Sequence, residues 1–211
     1  MSYLLTEIFI CFLFLLVVSL PCTVLLCQQY HQKGVGYGKG FPIGVQLLVL
    51  LLSAIFCVTG TAGMDNVLQV GVSLIQPDEI NFVPLTDGGG LTGMVLNAIL
   101  FVPLGALLPL LFDSCRLRKT TAIGFALSLL IELSQLFNYR ATDIDDLMMN
   151  TLGTVIGYVL YTLLLRRLTY FHAEERGARV PAAGCYIFGA AMVYILAVSP
   201  LQSALWWLLP A

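Results

Sequence analysis

The chain has 211 residues, of which 59% are hydrophobic and only 10% charged, and its formal net charge is −2 at pH 7. Soluble globular domains carry about 25% charged residues, so this composition excludes a soluble enzyme or a nucleic-acid-binding domain. It identifies an integral membrane protein with one membrane domain. The six cysteines, Cys11, Cys22, Cys27, Cys57, Cys115 and Cys185, form no CxxC pair and read as packing residues or free thiols.

A helix needs about 20 apolar residues to cross a bilayer. The first such run lies at roughly 4–26, and its Pro21 predicts a kink near the end. No basic segment precedes it, so it reads as a span and not as a cleaved leader. The glycine-rich residues 27–42 read as a flexible connector without a GxxxxGK[ST] phosphate loop. The second span is about 43–62. Residues 64–76 place apolar and polar positions on opposite faces, and they are too short and polar to span. They predict an amphipathic helix in the membrane interface, ended by Pro77. Asp78, Glu79, the segment Asn81-Phe82-Val83-Pro84 and the Gly88-Gly89-Gly90 loop follow. The third span, about 92–112, carries Asn97 and Gly105 on one face and two prolines, Pro103 and Pro109, that predict a bend. The fourth, fifth and sixth spans are about 120–138, 144–165 and 182–200, and Trp206 and Trp207 fall where an interfacial belt would lie. The expected fold is all-α: a polytopic bundle of about six transmembrane helices, with a short interfacial helix in the second loop.

The basic residues set the expected orientation. Lys33, Lys39, Arg116, Arg118, Lys119, Arg166, Arg167, Arg176 and Arg179 are nine of the ten Lys and Arg, and all fall in the first, third and fifth loops. The positive-inside rule makes that side cytoplasmic and puts both termini outside. His31 and His172 share the basic side, away from the acidic cluster on the other, so a site combining histidine with that cluster is not expected.

The polar residues gather around the fourth and fifth spans. Ser128, Glu132 and Gln135 stand at i, i+4 and i+7, one helix face. Asp143, Asp146, Asn150, Gly153 and Gly157 share a face of the next helix, with Arg140 in the link and Asp145 on a different face. Together with Asn81 and Asn97, these groups predict one outward-facing pocket, roofed by residues 64–90 and walled by the third, fourth and fifth spans. Structural roles compete at each position. Asp143 and Asp146 suit helix capping. Gly105, Gly153 and Gly157 suit close helix packing, and Asn97 and Asn150 suit hydrogen bonding between helices. Glu132 is the hardest to assign to structure alone, because a carboxylate inside a span costs about 2.5–3.5 kcal/mol and needs a partner or a cavity. A Glu132–Arg140 pair would be structural. The functional reading has Arg140 and helix N-terminal amides receiving an anionic group. No ligand set has a fixed metal spacing; Glu132, Asp143 and Asp146 are the candidates should a divalent ion bind, and no cofactor is expected.

The ordered run E-x2-Q-x4-R-x2-D-I-D-D-x3-N-T-x-G over Glu132–Gly153, with Asn81-Phe82-Val83-Pro84 and Asn97 followed by FVPLGALLPLLF, resembles the VanZ-like family of bacterial membrane proteins. The resemblance covers about residues 43–165. Residues 1–42 then form a first transmembrane helix and a cytoplasmic loop, and residues 166–211 a basic loop and an additional C-terminal helix. The resemblance implies a multi-pass protein of the bacterial cell membrane associated with low-level resistance to teicoplanin, a lipid-tailed glycopeptide. It implies no particular reaction.

The favoured functional reading is non-catalytic. Asn81, Asn97, Glu132, Gln135, Arg140, Asp143, Asp145, Asp146 and Asn150 would bind an amphiphile with an anionic head, either a cell-envelope lipid, such as a lipid-linked cell-wall component, or the lipophilic glycopeptide itself. One alternative is a membrane enzyme that modifies an envelope lipid, with Glu132 as general base and a divalent cation at Asp143–Asp146. A lipid transporter or scramblase is the other.

Overall fold

Apolar runs of this length become helices because backbone N–H and C=O groups in hydrocarbon must be paired within the segment. The computed structural model describes residues 2–63, 80–81, 90–136, 142–174 and 183–208. Its helices are α1 (Ser2–Gln32), α2 (Phe41–Thr59), α3 (Gly90–Leu111), α4 (Leu117–Gln135), α5 (Ile144–Leu160), α6 (Ala183–Val193) and α7 (Ser199–Leu208). α5 continues into a π-helical turn, Tyr161–Leu165, and α6 joins α7 through another, Tyr194–Val198. The two residues directly ahead of α5, β2 (Thr142–Asp143), form a short parallel ladder with β1 (Ile80–Asn81), which precedes α3 in the chain. The chain is an all-α helical membrane bundle.

Five helices among the described residues are long and apolar enough to cross a membrane: Leu4–Gln32, Phe41–Thr59, Thr92–Leu111, Ile144–Leu165 and Ala183–Leu201. α4 falls short by composition, since it carries Arg118, Lys119 and Glu132. At 1.5 Å per residue its 19 residues still extend roughly 28 Å. It starts beside the end of α3 and finishes beside the end of α2, so it runs the length of the bundle. The predicted interfacial helix at 64–76 lies outside the described residues.

Two expectations need correction. α1 does not stop near residue 26; it continues past Pro21 to Gln32 because Tyr30 is fully buried, its ring 5.5 Å from that of Phe41. The segment after it is not a loose connector. Gly34 takes φ 66°, Val35 N–H donates to Tyr30 O at 2.9 Å and Gly34 N–H to His31 O at 3.2 Å, which closes the helix in a Schellman motif. Gly38 N–H then donates to His172 O (2.8 Å) and Gly40 N–H to Tyr170 O (2.9 Å). Asp113 N–H donates to Ala173 O (3.3 Å), so the first, third and fifth loops are tied together at one end of the bundle. The lysines and arginines of those loops among the described residues therefore share that end.

The core is a continuous set of buried side chains, with Phe41, Phe56, Phe101 and Phe112 among the largest. A polar group joins the outer helices to it. Ser19 Oγ donates to Gln46 Oε1, and Gln46 Nε2 donates to Thr23 Oγ1, both at 2.9 Å. The Tyr186 hydroxyl donates to Ser19 O at 3.2 Å and lies 2.9 Å from Thr23 Oγ1. All six cysteines are free.

Candidate functional site

The site is framed by the closest helix contact in the bundle. A Cβ on Gly153 would fall on the Ala98 carbonyl, one on Gly157 on the Val102 carbonyl, and one on Gly105 on the Thr154 carbonyl. Only small residues let two backbones approach so far. From Ala98–Gly153 to Val102–Gly157 the contacts advance in the same direction along both helices, so α3 and α5 run parallel. Their lead-in segments are paired as well, with Asn81 opposite Asp143 in the β1–β2 ladder. Two residues 62 positions apart thus meet at the mouth of the α3–α5 pair. The side chains of both lie outside the described residues.

α4 packs against α5 in the opposite sense. A Cβ on Gly124 would meet the Thr154 side chain, and Asn150 Nδ2 donates to Ser128 Oγ at 2.9 Å. One turn further along α4, Glu132 is only 4% exposed. α4 ends at Gln135, so Glu132 stands in its last turn and not in mid-helix. A carboxylate there faces the negative end of the helix dipole, an added reason to require donors nearby.

Gln135 turns to a different neighbour. Its Nε2 donates to Thr59 O at 2.6 Å, and Ala62 N–H donates to Ser134 Oγ at 3.2 Å. The last carbonyls of a helix lack partners within it, so the end of α4 caps the end of α2. α2 therefore joins α3, α4 and α5 as a wall, which sequence reasoning missed along with Thr59 and Ser134. Ser128 and Gln135 are seven residues apart, roughly 10 Å along α4. The polar groups form a column at the non-basic end, not a single cluster.

The acidic pair at the start of α5 is unequally buried. Asp145, on a different face from Asp146, is the more buried of the two at 3% exposed, and Asp146 is half-buried. Both stand in the first turn of α5, where unpaired N–H groups and the positive dipole end favour carboxylates. Neither they nor Glu132 is without a partner. Asn97 is half-buried on α3, next to Ala98 at the Gly153 contact. Arg140 lies outside the described residues. Among the described residues no three His, Cys, Asp or Glu side chains converge as metal ligands.

Two acceptors in this column stand out. Gln135 Oε1 and Asn150 Oδ1 are buried with no hydrogen-bond partner among the described residues, on side chains 5% and 1% exposed. Leaving a buried acceptor unpaired costs about 1–3 kcal/mol. Among the described residues the column is thus rich in oxygen acceptors and short of donors.

Residues 47–165, which include every candidate residue named above, match the family model described as VanZ/LLP1. Protein VanZ of Enterococcus faecium is 38% identical over 85 residues, 40% of this chain and 53% of that protein. The match thus spans about half the length of that relative. No solved structure matches the chain. With more than half of its length matched, the chain belongs to the VanZ/LLP1 family of membrane proteins.

Proposed function

We propose that the polar column binds the head of a lipid-tailed molecule, an anionic envelope lipid or a lipophilic glycopeptide, and that the chain contributes in this way to low-level teicoplanin resistance in a bacterial membrane. The observation that carries this reading is the pair of buried oxygens, Gln135 Oε1 and Asn150 Oδ1, that have no hydrogen-bond partner among the described residues. Sugar hydroxyls and amide N–H groups are the donors such oxygens lack. Arg140, in the link between α4 and α5, would meet a phosphate or carboxylate. Glu132 and Asp146 would orient these partners, and Asn81 and Asn97 would close the mouth beside the α3–α5 pair. The tail would lie along the lipid-facing surface. On the positive-inside rule the column faces outward, where both envelope lipids and glycopeptides are met.

The test is susceptibility to teicoplanin in cells carrying the wild type, Glu132→Gln or Arg140→Ala at matched protein level. Both variants are expected to lose the protection, with a smaller change toward a glycopeptide that lacks an acyl tail. Unchanged protection in both variants, with unchanged lipid retention, would overturn the reading.

A further inference from the structure

The α1–α2 hairpin brings two thiols together at the end away from the basic loops. The helices pack antiparallel, and their contacts step along the pair. The Tyr30 and Phe41 rings lie 5.5 Å apart, and Ser19 Oγ donates to Gln46 Oε1 at 2.9 Å. The next step is at Cys11, whose thiol is hydrogen-bonded to the Cys57 thiol and to Ser53. Cys11 is fully buried and Cys57 half-buried, and both belong to the packed core. Spacing gives no sign of this pair, because its members stand 46 positions apart on different helices.

The place of the pair matters as much as its contact. α2 starts at Phe41, beside the tied loops of the basic end, and finishes at Thr59. Cys57 therefore stands in the last turn of α2, at the opposite end. On the positive-inside rule that end faces outward, the side on which disulfides form and persist.

Sulfurs in hydrogen-bond contact must still close to the about 2.05 Å of a disulfide. That asks for side-chain rotation and a small approach of two helices already packed together. The exposures set the order of events. Cys57, the more exposed thiol, attacks the disulfide of an extracytoplasmic oxidant, which gives a mixed disulfide and releases one thiol. Cys11 then attacks Cys57 Sγ, the Cys11–Cys57 bond forms, and the second thiol of the oxidant leaves. The two cysteine protons end on the two released thiols, and the two electrons reduce the disulfide of the oxidant. The Ser53 hydroxyl donates to Val49 O at 2.9 Å and can turn to meet the Cys11 thiolate as it forms.

We propose that Cys11 and Cys57 are a redox-active dithiol, a thiol pair in this structure that closes to a disulfide by exchange with an extracytoplasmic disulfide. Closure ties α1, which lies outside the matched residues 47–165, to the last turn of α2. That turn also carries the Thr59 carbonyl to which Gln135 donates. The bond therefore joins the added helix to the wall of the polar column. It also closes a long loop in the unfolded chain, so the oxidised form resists unfolding.

The experiment uses the full chain in nanodiscs, equilibrated with oxidised or reduced glutathione, trapped with maleimide and mapped by peptide mass spectrometry. Under oxidised glutathione most of the wild type is expected to carry a Cys11–Cys57 link, which dithiothreitol removes. Cys57→Ser abolishes any link at Cys11. Cys22→Ser keeps the Cys11–Cys57 link, although Cys22 lines a cavity together with Cys185 and is the rival pair. Oxidation is expected to move unfolding of the wild type to a higher fraction of dodecyl sulfate and to leave folded Cys57→Ser unmoved, with circular dichroism as the check on folding. In cells trapped with maleimide at harvest the same link is expected, and a membrane-impermeant reductant added beforehand removes it. Free thiols at both positions under oxidised glutathione, which a pair that serves packing alone would show, overturn the proposal. So does a Cys22–Cys185 link in its place, or an unlinked chain in the trapped cells.

Discussion

Gly157→Ala puts the framing of the site to a quantitative test. The added Cβ would stand 2.9 Å from both Ala106 N and Gly105 Cα, and closer to the Val102 carbonyl. Carbon contacts settle at about 3.5–4.0 Å, so α3 and α5 must separate by roughly 1 Å. A gap of that size forfeits about a quarter to a half of each dispersion contact across it. The obstructing atoms are backbone, and no rotamer change removes them. Overpacking of this kind costs about 1–3 kcal/mol, and the better helix propensity of alanine returns up to about 1. The net expectation is a loss of about 1–2 kcal/mol. Gly93→Ala is the control on the same pair of helices: nothing among the described residues lies within 4 Å of its Cβ, so propensity alone should stabilise it by about 0.5–1 kcal/mol. Unfolding by sodium dodecyl sulfate, followed by far-ultraviolet circular dichroism, reports both. If Gly157→Ala proved as stable as Gly93→Ala, the close approach of α3 and α5 would be wrong, and the polar column would lose its frame.

Further outcomes follow from the same geometry. A double-mutant cycle of Ser128→Ala and Asn150→Ala should show a coupling of about 0.6 kcal/mol, at most about 1.7; zero coupling would deny the hydrogen bond between α4 and α5. Tyr186→Phe removes a hydroxyl that holds α6 to α1 and should lower stability by about 1 kcal/mol, read by the same unfolding titration. Gln135→Ala should speed hydrogen exchange at the end of α2, Gly60–Ala62, while the basic end stays unchanged. A cysteine placed at exposed Glu174 should react with a membrane-impermeant thiol reagent only after the membrane is opened; reaction in intact cells would reverse the assigned orientation.

Much of this was legible in the chain. Spacing alone put Ser128, Glu132 and Gln135 on one face, and all three are buried together. The paired faces of α4 and α5 likewise anticipated that Asn150 would meet its neighbour across the helix boundary. What spacing could not supply was the partner from elsewhere. Gln135 pairs with a backbone carbonyl left over at the end of α2, and an unpaired carbonyl has no side-chain signature. The loop after α1 looked flexible because glycine weakens local preference, yet its backbone is held by residues 170–174, at least 130 positions away. Helix spacing separates Asp145 from the face of Asp146 and gives no sign of its burial, yet it is 3% exposed in the first turn of α5, directly after the β1–β2 ladder.

The most direct measurement of the central claim is native mass spectrometry of the detergent-purified chain, wild type beside Glu132→Gln and Arg140→Ala, each with and without a chelator. The account predicts a defined amphiphile mass on the wild type that both variants lose and that the chelator leaves in place. If all three forms are bare and equally folded, Glu132 and Arg140 are structural and the proposed binding column is contradicted. Loss of a divalent ion on chelation would contradict it in favour of the metal-assisted enzyme.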